Sequence, residues 1–329
     1  MKKFRQLRDN TVGALGELAL ISRLVRGLPG RADVIVGPGD DCAVVRPATE
    51  ARYDYLLKSD PVIEGVHFTR ATPGAAVGHK ALGRVLSDIA AMGGEPLWAL
   101  VNLVAPGAMP VARVTGVYAG LSRLARQWQV AIVGGDVTRG PRLEAHVFGV
   151  GRVRRGQAVL RRGARPGDYL FVTGALGGSR RGKHLAFQPR LAEGRWLRTR
   201  VTAMIDLSDG LATDLRHLLR QSRVGAELFL DSIPVTAALR KATLRRTALQ
   251  SAGQALRHAF CDGEDYELLF TAAPATAAKL IRAWPGKFKT PCANIGRITG
   301  RRDLVECVDA RGCRVRLQAT GYEHFRRIG

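Results

Sequence analysis

Apolar residues recur along this chain at two alternating periods. Over 11–27, Val12, Leu15, Leu18, Ala19, Ile21 and Val25 fall at helical spacing, and Gly27, Pro29 and Gly30 close the segment. Short apolar runs at 32–37, 42–45 and 53–60 predict strands, the first two around a glycine-rich turn. Residues 78–92 put Leu82, Val85, Leu86 and Ile89 on one stripe and predict a helix. A strand at 98–105, a helix at 111–128 and strands at 130–135 and 144–153 follow. The stretch 152–168 is charged and carries only Ala158-Val159-Leu160 as an apolar run, which marks a boundary. Beyond it, strands are predicted at 168–174, 226–231 and 266–272, and helices at 209–222 and 274–284. Strands and helices alternate in both halves, so the expected class is α/β or α+β. A chain of 329 residues can bury two cores, and we assign domains 1–153 and 154–329.

Composition narrows the classes. No run of about 18 apolar residues exists, so no membrane span or membrane partner is expected. The basic start MKKFRQLRDN lacks a following apolar segment, and the expected location is the cytoplasm. Five cysteines, an odd number with no CxxC pair, argue against a disulfide framework or a zinc ribbon. The formal charge of +23 raises a nucleic-acid role. However, only nine of the 51 basic residues are lysine, the arginines are scattered, and aromatics make up 6%. A stacking platform for single strands would interleave more aromatics, so no specific nucleic-acid partner is expected. The charge should still draw anionic substrates.

Acidic residues recur at one kind of place, the end of an apolar strand or the start of a helix beside glycine. Asp40 and Asp41 follow Val-Ile-Val-Gly-Pro-Gly, and Asp60 closes Leu-Leu-Lys-Ser. Asp136 follows Ile-Val-Gly-Gly, and Asp206 and Asp209 lie in Ile-Asp-Leu-Ser-Asp-Gly. Asp88 falls four residues after Arg84 and eight after Lys80, so these three share one helix stripe. Singly, each carboxylate has a structural use: Asp40 in a turn, Asp209 as a helix cap. Together they imply a convergence that needs cations, for which oxygen-liganded Mg²⁺ is suited. Carboxylates with magnesium can serve a nucleoside triphosphate where a phosphate-cradling loop is missing.

Two glycine-rich segments are decoys. Gly177–Lys183 nearly matches a phosphate-binding loop, but His184 stands where Ser or Thr is required and Pro189 interrupts the helix that should follow. Gly37-Pro38-Gly39 leads into a second strand, so a dinucleotide would meet no helix N-terminus there.

Nine segments in this order resemble the thiamine-monophosphate kinases, within the aminoimidazole ribonucleotide synthetase-like superfamily. They are GDDCAVV (39–45), SDPVIEGVHF (59–68), KALGRVLSDIAAMGGEP (80–96), GGDVTRGP (134–141), GARPGDYLFVTGALGGS (163–179), MIDLSDGLATDL (204–215), CDGEDYELLF (261–270), IGRIT (295–299) and GYEHF (321–325). The resemblance implies a two-domain fold whose N-terminal domain lends strands to a barrel at a homodimer interface. It implies transfer of the γ-phosphoryl of ATP directly onto the phosphate of thiamine monophosphate, giving thiamine diphosphate. Carried over by position, Asp41, Ser59, Asp60, Asp88, Asp136, Asp206 and Asp209 would be magnesium ligands. Tyr118, Gly135, Asp136, Arg161 and Ser208 would meet ATP, and His67, Glu264 and Tyr322 thiamine monophosphate. Asp209 and Arg161 would carry the chemistry. The acceptor is already an oxyanion, so positioning and charge neutralisation suffice without a strong base.

The chain departs from the family pattern at several points. Lys58 stands where a small hydroxyl residue is frequent, Pro61 where Thr or Ser follows the aspartate, Val85 where Asn is frequent, and Cys261-Asp262 before the Glu-Asp-Tyr-Glu run. The segment between Ser179 and Pro189 is short. Two alternatives remain: a superfamily relative that activates another small acceptor with ATP, and a basic nucleic-acid binder that keeps the fold without turnover.

Overall fold

A computed structural model describes residues 11–237, 239, 248–318 and 321–322. Two sheets form the frame. The first contains β1 (Val34–Val36), β2 (Ala43–Val45), β3 (Tyr53–Ile63), β4 (Glu95–Ala105), β5 (Ala131–Arg139) and β6 (Glu144–Arg154), ordered β1-β2-β3-β6-β4-β5. Among the described residues of this sheet, only β4 and β5 pair in parallel. The second contains β7 (Tyr169–Thr173), β8 (Ala203–Asp206), β9 (Gly225–Phe229), β10 (Leu268–Ala272), β11 (Cys292–Thr299), β12 (Val305–Val308) and β13 (Arg314–Arg316), ordered β13-β12-β9-β11-β7-β10-β8.

The helices among the described residues are α1 (Val12–Leu15), α2 (Glu17–Leu24), α3 (Gly74–Ala91), α4 (Val111–Trp128), α5 (Leu191–Leu197), α6 (Leu211–Ser222), α7 (Ala248–Cys261) and α8 (Pro274–Ala283). The mixed α/β class and two-part organisation expected from the alternation are present. None of these helices is long and apolar enough to cross a membrane.

The helix α3 organises the molecule. Val77, Ala81, Leu82, Val85, Leu86 and Ile89 are all buried, packed against the first sheet, α4, α5 and β8. Close approach depends on glycine. A Cβ on Gly78 would lie 1.9 Å from the Val117 carbonyl oxygen, and one on Gly120 would lie 2.0 Å from that of Ala75, so α3 and α4 cross backbone to backbone. On the sheet side, a Cβ on Gly149 would meet Val85 Cγ1 at 2.3 Å. Val85 therefore faces the core and not the site, which accounts for an apolar residue at that departure.

One core joins α3 and α4 to Met204, Leu268, Phe270, Leu280 and Trp284 of the second half. A second core lies on the other face of the second sheet, under α6, whose Leu211, Leu215, Leu218 and Leu219 are buried. Each such side chain contributes roughly 1.5–3 kcal/mol relative to exposure.

Several elements differ from the expectation. The helix 11–27 breaks at Gly16 (φ 78°), and its stripe Val12, Leu15, Leu18 and Ile21 is exposed rather than buried. Strand 130–135 continues to Arg139, and helix 78–92 starts earlier, at Gly74 after Pro73. Strand 266–272 starts at Leu268 because Tyr266 takes φ 51°. The short elements β8, α5, β12 and β13 carry too few residues to show a period. Glu323–Phe325 of the last motif lie outside the described residues.

Candidate active site

A turn, two strands and the helix α3 deliver carboxylates to one spot. Asp41 sits in the turn before β2, Asp60 near the end of β3, Asp88 on α3 and Asp206 at the last residue of β8. Oxygens of Asp41, Asp88 and Asp206 lie within 4.8 Å of one another, and all three residues are buried. Asp40 does hold the turn: its carboxylate accepts the backbone N–H of Asp41 at 3.0 Å and of Arg161 at 3.2 Å.

Cations surround the group. Arg161 donates from Nη2 (2.6 Å) and Nε (3.1 Å) to Asp41 Oδ1. Lys58 Nζ is 3.1 Å from Asp88 Oδ1 and 3.6 Å from Asp60 Oδ2, and Arg84 Nη2 is 3.5 Å from Asp60 Oδ1. Ser87 Oγ donates to Asp206 Oδ2 at 2.6 Å.

The electrostatics are those of crowded, desolvated carboxylates. Burial, then Asp41, pushes Asp206 up to about 7 against the pull of its Ser87 bond. Burial, with Asp206 and Asp60 adding to it, drives Asp88 well above the carboxylate range despite Lys58. Burial acts on Asp60 too, but Lys58 and Arg84 outweigh it and hold this carboxyl low. Burial alone would lower the Lys58 ammonium, yet Asp88 and Asp60 beside it raise it above an ordinary lysine.

The donor set passes a test for a hard cation. All ligand atoms are oxygens, and Asp41 Oδ2 is buried with no hydrogen-bond partner among the described residues. Such an orphan costs about 1–3 kcal/mol or more unless something meets it. A divalent ion with oxygen preference fits this donor set.

A pocket opens next to the cluster, lined by Val66, His67, Arg84, Arg180, Ser208, Asp209, Asp262, Gly263, Glu264, Tyr266 and Tyr322. Arg84 borders both. Asp209 does not cap α6: Gly210 holds the N-cap position without a side-chain bond, and the Asp209 N–H donates to Asp214 Oδ2 at 3.0 Å. His67 Nδ1 accepts the Ile63 N–H at 3.1 Å, which leaves the proton on Nε2.

Glu264 and Tyr266 both take left-handed backbone angles, φ 56° and 51°. Each such residue stores of order 1–3 kcal/mol of strain and is held only by its surroundings. Those surroundings are explicit. Lys80, fully buried, reaches Glu264 Oε1 at 2.5 Å and the His67 carbonyl at 2.6 Å, while Tyr266 stacks on Phe187 with centroids 3.9 Å apart. The Arg180 guanidinium lies 5.9 Å from the centroid of the Tyr322 ring.

The single chain thus gathers Asp41, Asp60, Asp88, Asp206 and Arg161 at the cluster, and His67, Ser208, Asp209, Glu264 and Tyr322 around the pocket. Ser59 is exposed on the face of β3 opposite Asp60. Gly135 and Asp136 are exposed on β5, the edge strand. Tyr118 is half-buried on α4 against the first core. The chain alone does not bring these four to the cluster.

Arg84, Arg180 and Lys80 line or support the pocket and had no assigned role. The signal for two of them was the shared stripe Lys80, Arg84, Asp88. Each of these turns out to meet an opposite charge at the site.

The decoy loop is not a phosphate cradle. Residues 179–181 and 183–185 form two short 3₁₀ turns, and Lys183 is held by the Ala175 carbonyl (2.7 Å) and Glu267 (3.0 Å). Asp262, a departure from the pattern, accepts the Gly178 N–H at 2.6 Å and ties this turn down.

Residues 39–153 match the family model for the N-terminal domain of AIR synthase related proteins, and residues 179–309 match the C-terminal one. A thiamine-monophosphate kinase of Rhodopirellula baltica is 38% identical over 297 residues, covering 87% of this chain and 90% of that protein. One from Escherichia coli K12 is 34% identical over 337 residues, covering 95% and 99%. A solved structure described as AaThiL complexed with AMPPCP and TMP superposes with a TM-score of 0.80 at 31% identity, covering 94% of this chain and 97% of that one.

Proposed function

The chain belongs to the thiamine-monophosphate kinase family, an enzyme family that transfers a phosphoryl group from ATP to thiamine monophosphate, and on that premise we propose how its residues divide the work. The observation that carries the assignment is the buried Asp41–Asp88–Asp206 group opening onto the pocket of His67, Glu264 and Tyr322.

Asp41, Asp88 and Asp206 would hold Mg²⁺, with Asp60 beside them on Lys58 and Arg84 and Asp209 at the pocket side. A metal bound there would supply charge neutralisation for the triphosphate. Arg161, locked on Asp41, extends the positive charge toward the nucleotide, and Ser208 contributes a hydroxyl. His67 and Glu264 orient thiamine monophosphate, and Tyr322 offers a π-face to the cationic thiazolium. Arg84 and Arg180 face the acceptor phosphate. That phosphate attacks in line, ADP leaves, and no side chain has to remove a proton.

The remaining residues point to a homodimer. Pairing register puts Ser59, Phe148, Leu100 and Gly134 on one face of the first sheet, with Asn102 and Asp136 beside them. That face also exposes Trp98 and Val133. An apolar sheet face of this kind is an interface waiting for cover. A second copy closing on it would complete the nucleotide contacts of Gly135 and Asp136 and bring Ser59 into a shared site.

The test is formation of thiamine diphosphate from ATP and thiamine monophosphate with Mg²⁺, beside Asp209→Asn. Product from the wild type and its loss in the variant support the assignment. Metal-dependent AMPPCP binding with no thiamine diphosphate from the wild type would overturn the acceptor.

A further inference from the structure

Lys58 is a cation built into a cluster that otherwise calls for metal. It lies on β3 two residues before Asp60, so both side chains leave the strand toward α3. Its Nζ stands between two carboxylates, 3.1 Å from Asp88 Oδ1 and 3.6 Å from Asp60 Oδ2. An ion bridging the same two oxygens would need each at about 2.1 Å and would occupy the same gap. An ammonium and a divalent cation cannot share it. The other oxygen of Asp60 already faces Arg84.

The charge balance agrees. With all four ionised, as metal binding requires, Asp41, Asp60, Asp88 and Asp206 bring four negative charges, and Lys58, Arg84 and Arg161 bring three positive ones. The place left for a metal is the group in which Asp41, Asp88 and Asp206 each bring an oxygen within 4.8 Å of the others, and Asp41 Oδ2 is buried with no hydrogen-bond partner among the described residues.

We propose that the Lys58 ammonium is a resident substitute for one divalent cation, occupying the position that bridges Asp60 and Asp88, so that the site loads one metal ion fewer than its carboxylates could hold. This rests on the reading of the cluster as a metal site. It gives the enzyme one cation that no chelator removes and that does not depend on free magnesium.

The probe is Mn²⁺ alone, counted per chain by the EPR signal of the unbound ion. Wild type, Lys58→Ser, Lys58→Gln and Lys58→Arg are compared after each is shown to melt cooperatively. The serine and glutamine variants, either of which suffices, should each bind one Mn²⁺ more than the wild type, and the arginine variant the wild-type number. Equal counts in wild type and both uncharged variants overturn the inference while leaving the metal site intact. No Mn²⁺ bound by any of them overturns both. Thiamine diphosphate formation is scored separately, so failure of the activity assignment is not confused with failure of the count.

Discussion

Replacing Lys80 by methionine removes the cation from beneath the substrate pocket while keeping most of its volume. Lys80 is fully buried and its ammonium is held 2.5 Å from Glu264 Oε1. Glu264 is fixed at φ 56°, a conformation that costs a non-glycine residue about 1–2 kcal/mol. Without the ion pair, relaxation to a negative φ is favoured by that amount, and the competent conformer falls to roughly a tenth of the population. The KM for thiamine monophosphate should therefore rise about tenfold, with kcat less affected.

The same pair predicts a pH profile. Burial pulls the Lys80 ammonium down to about 8, with Arg84 and Arg180 adding to the effect and Glu264 resisting it. As pH rises through about 8 the folded protein loses this charge, so the wild-type KM should climb there, while the methionine variant stays high and flat. Stability moves the other way. Unfolded lysine titrates near 10.5, so between about 8 and 10.5 the unfolded chain binds more protons and folding gains as pH rises. A Lys80→Met enzyme with wild-type KM and an unchanged bend near pH 8 would refute the argument.

Further outcomes follow from the cluster and the exposed face. Asp206→Asn should abolish thiamine diphosphate formation, by at least about 100-fold, yet raise the melting temperature of the metal-free protein, because it relieves a crowded buried carboxylate. Asp206 is raised to about 7 when folded, so the metal-free wild type should be more stable at pH 5 than at 7.5, losing stability as pH rises through 7; saturating Mg²⁺ should reverse that loss, as scanning calorimetry can show. Arg161→Met leaves Asp41 buried without its partner and should destabilise the fold by about 3 kcal/mol and weaken AMPPCP binding, both measurable by melting with and without the nucleotide analogue. Trp98→Glu should yield a monomer by light scattering, with activity falling in parallel; an unchanged mass would refute the dimer face.

How much of this could be read in the sequence depends on the reach of each signal. The stripe Lys80, Arg84, Asp88 was legible because a helix has a fixed period, and its neighbours confirm the face. Asp41 and Asp206 were legible because strand ends followed by glycine turns project their side chains from a sheet edge. The direction of Lys58 was not. A lysine beside a metal-ligand aspartate can lie in or point out, and only the burial of alternate β3 residues against α3 decides it. Asp136 and Ser59 show the converse limit. The strand-end pattern placed Asp136 with the other acidic residues and the family resemblance placed Ser59 there, but pairing register puts both on the outward face of the sheet, a long-range fact absent from local pattern. Arg180 reaches the pocket only through the fold of the 3₁₀ turns, for which no periodic signal exists. The second sheet's order was unreadable for the same reason, since β8, β12 and β13 are three or four residues long.

The backbone-to-backbone crossing of α3 and α4, and the burial of α3 among elements of both halves, bear on how the enzyme can move. A hinge requires a seam across which few side chains interlock, and no such seam runs beside α3: one core passes from Val77 and Leu82 to Phe270 and Trp284 without interruption. Opening for substrate then falls to side chains at the pocket rim, where the Arg180 guanidinium lies 5.9 Å from the Tyr322 ring centroid. Amide exchange should show α3 exchanging only with global unfolding, and heat should melt both halves in one transition. The reacting groups then ride on the least yielding part of the protein, and substrate exchange is left to the side chains at its rim.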